Sequence, residues 1–468
     1  IRRRQRQMCI RDRINSTQSA LEALDHEDAG VRYHGAWWLG KHRVIEAIPK
    51  LVDCLKDERE VTSTGGYPLR RQAARSLGMI KDASCIHSLL ETLNTNDVQL
   101  HEATLRALIE IKNDQCSHSL ISYLNKDIDN KPIEALIEAL ASHQVWQVAE
   151  KIKPFLQSDS ERVMSSAAAF FYECTGDISY LDQVIALLNH ENRFVRQSAA
   201  FDLARIGTIS AAEPLLAAPI PNNVKMYAIK AILSDSLLKS AKAGNDRGAQ
   251  NQEEHDSLFK TLDELTRENF AGNLLINQDI QKSPNTEQPL RSTADILSTA
   301  FKKLGSPSFM EREEGIRLIT ESPESIKEDL HNLYFLESDQ DIKMGLVKAM
   351  AKLKHSDYVP ALIDAVGVEI GNHCQGNIRR VAACALGDID WIQQADCQSL
   401  TITMDQLSWT LQYPDDWGLR YSACIALGSI GNSRARDLLL VSKTKEGDPV
   451  ISKRIDIALS EISSDNIF

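Results

Sequence analysis

The chain has 468 residues, 43% of them hydrophobic and 25% charged, with a formal net charge of −12. That balance supplies ample core-forming material and argues against a general nucleic-acid binder, whose footprint is basic. Nine cysteines with no C-x-x-C pair argue against a zinc cluster or disulfide framework, and no apolar run approaches the roughly 18 residues that span a bilayer.

Residues 1–14 are basic and unpatterned, beginning IRRRQRQMCIRDR, and lack the apolar centre of a signal peptide. They read as a non-native or disordered N-terminus and contribute nothing to the fold argument. A repeated frame begins after them. Asp28–Lys41, DAGVRYHGAWWLGK, returns as Asp416–Ser429, DWGLRYSACIALGS. With the apolar residue before the Arg as anchor, copies start at Val31, Leu69, Leu100, Pro132, Val163, Val195, Val224, Met310, Ile342, Ile378, Leu419 and Val450. Most gaps are 31 or 32 residues, the length of two short helices and two turns. Eight residues past each anchor the side chain is apolar, from Leu39 to Ala458. A second apolar run such as AIPKLVDCL (47–55) follows in each unit. Such a hairpin cannot bury its apolar face alone and must stack on its neighbours. The expected fold is all-α: a right-handed α-solenoid of about twelve helical hairpins.

One gap is 86 residues long, and its polar stretch 241–292 reads as a mostly disordered insertion with a single helix, Asp256–Asn269. The expected organisation is an N-terminal array at 15–240, the insertion at 241–292 and a C-terminal array at 293–468.

Helix geometry sorts the frame into faces. At about 100° per residue, with Val31 at zero, Gly35, Leu39, Arg32 and Ala36 fill a buried arc. The frame arginines (Arg32, Arg70, Arg196, Arg379, Arg420) are expected to pack their stems there and pair with an Asp at a neighbouring turn. Tyr33, Trp37, Lys41 and His34 lie opposite, with Trp38 at the edge. The same projection turns out Arg71 and Arg75, then Glu102 and Arg106, then Glu134 and Glu138, and further on Gln197, Ser198, Phe201 and Arg205. Toward the C-terminus it gives Arg380, Asp388, Tyr421 and Ile425. Aromatics, then arginines, then carboxylates on one inner surface suit a flat, conjugated, anionic ligand. Trp37 and Trp38 could instead cap the open end of the solenoid.

RYHGAWWLGK (32–41) and DWGLRYSACIALGSIG (416–431) resemble the E/F-type phycobilin lyases, a HEAT-like repeat family, and in particular their long single-chain, phycoerythrin-directed branch. The resemblance covers most of residues 16–468, with the insertion uncertain. It implies attachment of a linear tetrapyrrole, phycoerythrobilin, to a cysteine of a phycoerythrin α or β apo-subunit through a thioether. Some relatives also isomerise the pigment to phycourobilin. The bilin would be a substrate, with no permanently bound cofactor and no metal. The nucleophile would belong to the partner, and catalysis would be mostly orientation with some proton delivery. Tyr33, Trp37 and Trp38 would stack on the bilin, and Arg71, Arg75 and Arg106 would hold its propionates. His34, Glu102, Glu138 and Asp388 are the acid candidates. Trp417, Arg420 and Tyr421 would meet the partner or close the far side. No nucleic acid and no membrane enter this picture, and the resemblance implies cyanobacterial cytoplasm or plastid stroma.

Two other readings stay open on sequence. HEAT-like arrays also serve as non-catalytic protein-binding scaffolds. A di-iron hydroxylase of similar repeats would use matched His-Glu steps, but His26-Glu27, His101-Glu102 and His190-Glu191 occupy different places in the frame.

Overall fold

The computed structural model describes residues 14, 16–63, 65–243, 248–268, 292–367, 373–394, 396–413 and 416–462, and among these there is no strand. The architecture is an all-α solenoid of stacked helical hairpins, divided into two compact units, 1–206 and 207–468.

In the first unit the leading helices of successive hairpins are α1 (Ala29–Lys41), α2 (Pro68–Ile80), α3 (Val98–Ile111), α4 (Ile133–Ser142), α5 (Glu161–Thr175) and α6 (Arg193–Ile206), each packed on the next. Shorter helices such as Ile48–Cys54 and Ile86–Thr92 back them. One continuous apolar core runs from Ile14 to Phe171. Ile14 is only 7% exposed, so the last residue of the segment set aside on sequence belongs to the core. Residues 1–13 lie outside the described residues.

The structure explains the frame letter by letter. Its acid three residues before the anchor is the N-cap: Asp28 accepts from the Gly30 amide at 2.7 Å and Asp416 from that of Leu419 at 3.0 Å. Its arginine ties the leading helix to the turn before it. Arg32 donates to the carbonyls of His26 and Glu27, at 2.7 and 2.6 Å, and Arg196 to those of His190 and Glu191. Backbone carbonyls, not the expected Asp, are thus the shared partner, because a guanidinium beside a chain reversal meets outward-pointing C=O groups first. Arg70 adds Glu58 at 2.7 Å and Arg420 adds Glu446 at 3.0 Å.

The glycine of the frame's Leu-Gly permits close approach. A Cβ on Gly40 would lie 2.6 Å from the Ser76 backbone, and one on Gly387 would lie 2.3 Å from that of Ala426. Ser76 and Ala426 both stand seven residues past an anchor, so where the frame carries its Leu-Gly the leading helix presses that glycine into a small residue of the next.

In the second unit α7 (Asn222–Ala243) leads, followed by α8 (Gly248–Thr266), α9 (Thr293–Leu304), α10 (Phe309–Thr320), α11 (Gln340–Leu353), α12 (His373–Asp388), α13 (Trp417–Ile430) and α14 (Pro449–Glu461). The anchor at Met310 is one residue early. Met310 is exposed, Ile319 rather than Leu318 is fully buried, and Arg312 makes the carbonyl bond of the frame arginine, to Ser306 at 2.8 Å.

The insertion also differs from expectation. Its helix α8 starts at 248 rather than 256 and buries Leu258, Phe259, Leu262 and Leu265. It lies across the leading helices of its own unit. Asp263 accepts from Tyr421 Oη at 2.7 Å on α13 and pairs with Arg454 at 3.0 Å on α14. Just past the helix, Arg267 pairs with Asp388 on α12, and Glu268 lies 3.7 Å from Lys348 on α11. The helix expected from Asp256 is present and four of its apolar residues share one buried face, while residues 248–255, expected to be disordered, extend it. Residues 269–291 lie outside the described residues.

Candidate functional site

The inner face of the first unit divides into two zones. The first is aromatic and cationic. Tyr33 and Trp37 stand one turn apart on α1, both half-buried and outside the core cluster. His34 meets Tyr33 edge-on, with ring centroids 5.8 Å apart, and the Lys41 ammonium sits 5.0 Å from the Trp37 ring centroid. On α2, Arg71 donates to Gln99, and Arg75 is exposed with no carboxylate partner among the described residues. The tight contact between α1 and α2 fixes these groups beside each other. Ser76 Oγ donates to the Ala36 carbonyl at 2.7 Å, which sets Trp37 and Arg75 on the two flanks of one helix seam.

Trp38 belongs elsewhere. It packs on the core and stacks on His42 at 3.9 Å, so its ring supports α1 rather than completing the platform. Sequence placed it at the edge of the face, and the edge turned inward.

The second zone is ionic. Arg106 on α3 pairs with Glu102 at 3.2 Å and with Glu138 of α4 at 3.0 Å. Glu134 on α4 pairs with Arg162 of α5 at 2.7 Å and accepts from Ser198 Oγ of α6 at 3.1 Å. That last bond joins helices two hairpins apart, which is possible only on the inside of the curve. Arg205 on α6 holds Glu173 at 2.8 Å and Asp202 at 3.5 Å, and Ser165 Oγ donates to Asp202 at 2.5 Å.

Burial raises the Glu138 carboxyl above the ordinary carboxylate range, against the pull of Arg106 and Arg205. Asp202, 2% exposed, is pushed further, to about 7, first by burial and then by the charge of Glu138, with Arg205 opposing. Of the expected residues, Glu102, Arg106 and Glu138 are thus brought together. Arg106 is held by two carboxylates, which removes it from the free cations expected to hold a propionate.

Asp202 is the residue the sequence reading missed, and a signal existed. It stands seven residues past its anchor, where most copies carry a small or apolar residue. A carboxylate at a core-edge position is costly unless something pairs with it.

The second unit keeps its expected site residues occupied. Tyr421 is fully buried against Asp263, so it can neither meet a partner nor stack on a ligand. Arg420 is tied to Glu446 and the Tyr413 carbonyl, which fits a structural role rather than a docking one. Asp388 is paired with Arg267 from the insertion and is only partly exposed. Trp417 is half-buried under the Lys230 ammonium, 5.6 Å from its ring centroid.

Among the described residues no group of three or more His, Cys, Asp or Glu is arranged to hold a metal, and no helix is long and apolar enough to cross a membrane. The His-Glu steps do not converge. His26 and His190 cap turns through Nδ1, to the amides of Asp28 and Asn192, while His101 is buried against Tyr123.

Comparison with known proteins bears on the family. The family profile described as PBS lyase HEAT-like repeat matches residues 31–57, 69–95 and 195–218. The chain is 40% identical over 262 residues to the bilin biosynthesis protein PecE of Mastigocladus laminosus, covering 97% of that protein and 55% of this one. The chain belongs to the E/F-type phycobilin lyases. It is 35% identical over 264 residues to the phycocyanobilin lyase subunit alpha of Thermosynechococcus vestitus, covering 92% of it and 52% of this chain. A solved complex of CpcE and CpcF of phycocyanin lyase from Nostoc sp. PCC7120 aligns at 29% identity and a TM-score of 0.48, over 54% of this chain and 95% of that one.

Proposed function

We propose that this bilin lyase binds phycoerythrobilin on the inner face of residues 29–205 and joins it to a cysteine of a phycoerythrin subunit. The observation that carries the reading is the bond from Ser76 Oγ to the Ala36 carbonyl, which holds the helix of Trp37 against the helix of Arg75. A tetrapyrrole ring lies on Tyr33 and Trp37, and its propionates reach Arg75 and Arg71. The ring nitrogens then face the ionic zone around Glu138.

The chain's own buried thiols are poor nucleophiles. Burial pushes Cys54 and Cys85 up to about 11, and Cys384 and Cys424 up to about 12, so they stay protonated at neutral pH. This supports a nucleophile supplied by the partner subunit. Its thiolate adds to the ethylidene carbon of ring A, an S–C bond forms, the double bond opens and ring A gains a proton. The lyase contributes orientation and the acid.

The test has two stages. The protein is purified with and without phycoerythrobilin and its visible absorbance recorded; a chain that takes up no bilin contradicts the reading. Co-expression with phycoerythrin α and β subunits, followed by mass and absorbance analysis of the chromopeptide, identifies the cysteine and the isomer. A phycocyanobilin adduct alone would replace the substrate named here.

A further inference from the structure

The ionic zone holds more carboxylates than cations. Three guanidiniums, Arg106, Arg162 and Arg205, face five carboxyls, Glu102, Glu134, Glu138, Glu173 and Asp202. The groups come from every leading helix around it: Glu102 and Arg106 from α3, Glu134 and Glu138 from α4, Arg162, Ser165 and Glu173 from α5, and Ser198, Asp202 and Arg205 from α6. Where such a surplus includes two enclosed carboxyls, Asp202 and Glu138, burial and like charge both favour one of them keeping a proton.

Position decides which carboxyls share it. Glu102 is exposed and its charge is solvated. Glu134 and Glu173 each hold a guanidinium closely, at 2.7 and 2.8 Å. Asp202 is the most enclosed, with Arg205 at the longer distance of 3.5 Å. Glu138 pairs with Arg106 of α3, the neighbouring helix on the side of the aromatic zone, and its side chain is 14% exposed.

We propose that Asp202 is a positioning residue for the proton transfer, its carboxyl sharing one proton with Glu138 and setting the pH at which Glu138 can give it to the bilin. The inference rests on the bilin-addition reading. In the step, the acceptor thiolate forms the S–C bond, the π pair of the ethylidene moves into ring A, and ring A takes the proton from Glu138. Water later returns a proton to the cluster. Burial of both carboxyls and the rise of Asp202 to about 7 place the exchange near neutral pH.

The experiment measures bilin transfer to the acceptor subunit against pH, divided by the thiolate fraction of the acceptor cysteine found separately by alkylation. The wild-type protein should show a corrected rate that falls as pH rises through about 7. Asp202→Asn removes a negative neighbour, so Glu138 loses its proton sooner and the limb moves down by at least about one pH unit. Ser165→Ala removes the hydroxyl that favours ionised Asp202, so the limb moves up. Glu138→Gln should transfer the bilin it has taken up at least about tenfold more slowly, the rate being referred to the bilin bound by each variant.

A limb that stays in place in Asp202→Asn, or moves in the same direction in both variants, overturns the proposal. If Asp202→Asn does not fold, Ser165→Ala alone decides by the direction of its shift. Bilin uptake, read from absorbance before any partner is added, separates the two ideas. Wild-type protein without uptake sinks the proposed function, whereas normal uptake with an unmoved limb sinks only the role of Asp202.

Discussion

Trp37 and Arg75 are neighbours through a contact that neither makes. The bond from Ser76 Oγ to the Ala36 carbonyl locks α1 to α2, and the two functional groups flank that bond. Replacing Trp37 by Ala or Arg75 by Glu should weaken bilin uptake about tenfold or more, as expected for loss of a stacking ring or reversal of a propionate partner. Titration by visible absorbance checks this, with an unchanged melting temperature as control. The glycines of the frame predict the opposite pattern. Gly387→Ala would drive a Cβ to 2.3 Å from the Ala426 backbone. It should cost about 1–3 kcal/mol by forcing two helices apart, measurable by urea titration, and leave the residues of the first unit untouched. At this scale the sequence was readable wherever side-chain direction follows from helix phase, as for Tyr33, Trp37, Arg75 and Glu138. It failed where a partner distant in the chain decides. Arg106 and Glu138 are 32 residues apart, and nothing local shows that they meet. Tyr421 looked exposed because its partner Asp263 lies in another element altogether.

Among elements, α8 is the one whose role the chain disguised. Its composition is polar, but its buried face and the donors that reach its Asp263 from α13 and α14 make it part of the fold. Asp263→Ala should destabilise the second unit by about 3 kcal/mol, since Arg454, with a side chain 3% exposed, would keep only Glu461 at 3.3 Å. Differential scanning calorimetry should resolve this as a shift of one transition with the other unmoved. The leading helices, by contrast, were legible. Acid, arginine, small residue and Leu-Gly each answer a local geometric demand: a cap, a tie to the preceding turn and a close helix contact. A demand repeated at fixed spacing leaves a pattern that one sequence can display. The off-by-one anchor at Met310 shows the limit, because Glu311 holds the anchor's place there and an apolar neighbour was taken for it.

The whole molecule combines one open inner face with one that its own chain covers. Binding should therefore saturate at one bilin per chain in an absorbance titration; two equivalents would place a second site on residues 207–468. Stability should also depend on pH in a stated direction. Asp202 has a native value near 7, above that of an unfolded carboxyl, so the native state holds its proton more tightly. Its contribution is fully present at pH values below the ordinary carboxylate range and is lost as pH rises through about 7. The melting temperature of the wild-type protein should accordingly fall relative to Asp202→Asn between about pH 4 and 7, and a constant difference would show that Asp202 does not titrate there.

The seat of α8 has a kinetic consequence as well. Only four residues separate the end of α7 at Ala243 from the start of α8 at Gly248. A helix on so short a tether competes for its groove at an effective concentration in the millimolar range or above. A free peptide of ordinary micromolar affinity would compete poorly against it, so the second unit is insulated from chance occupants during the lifetime of the folded chain.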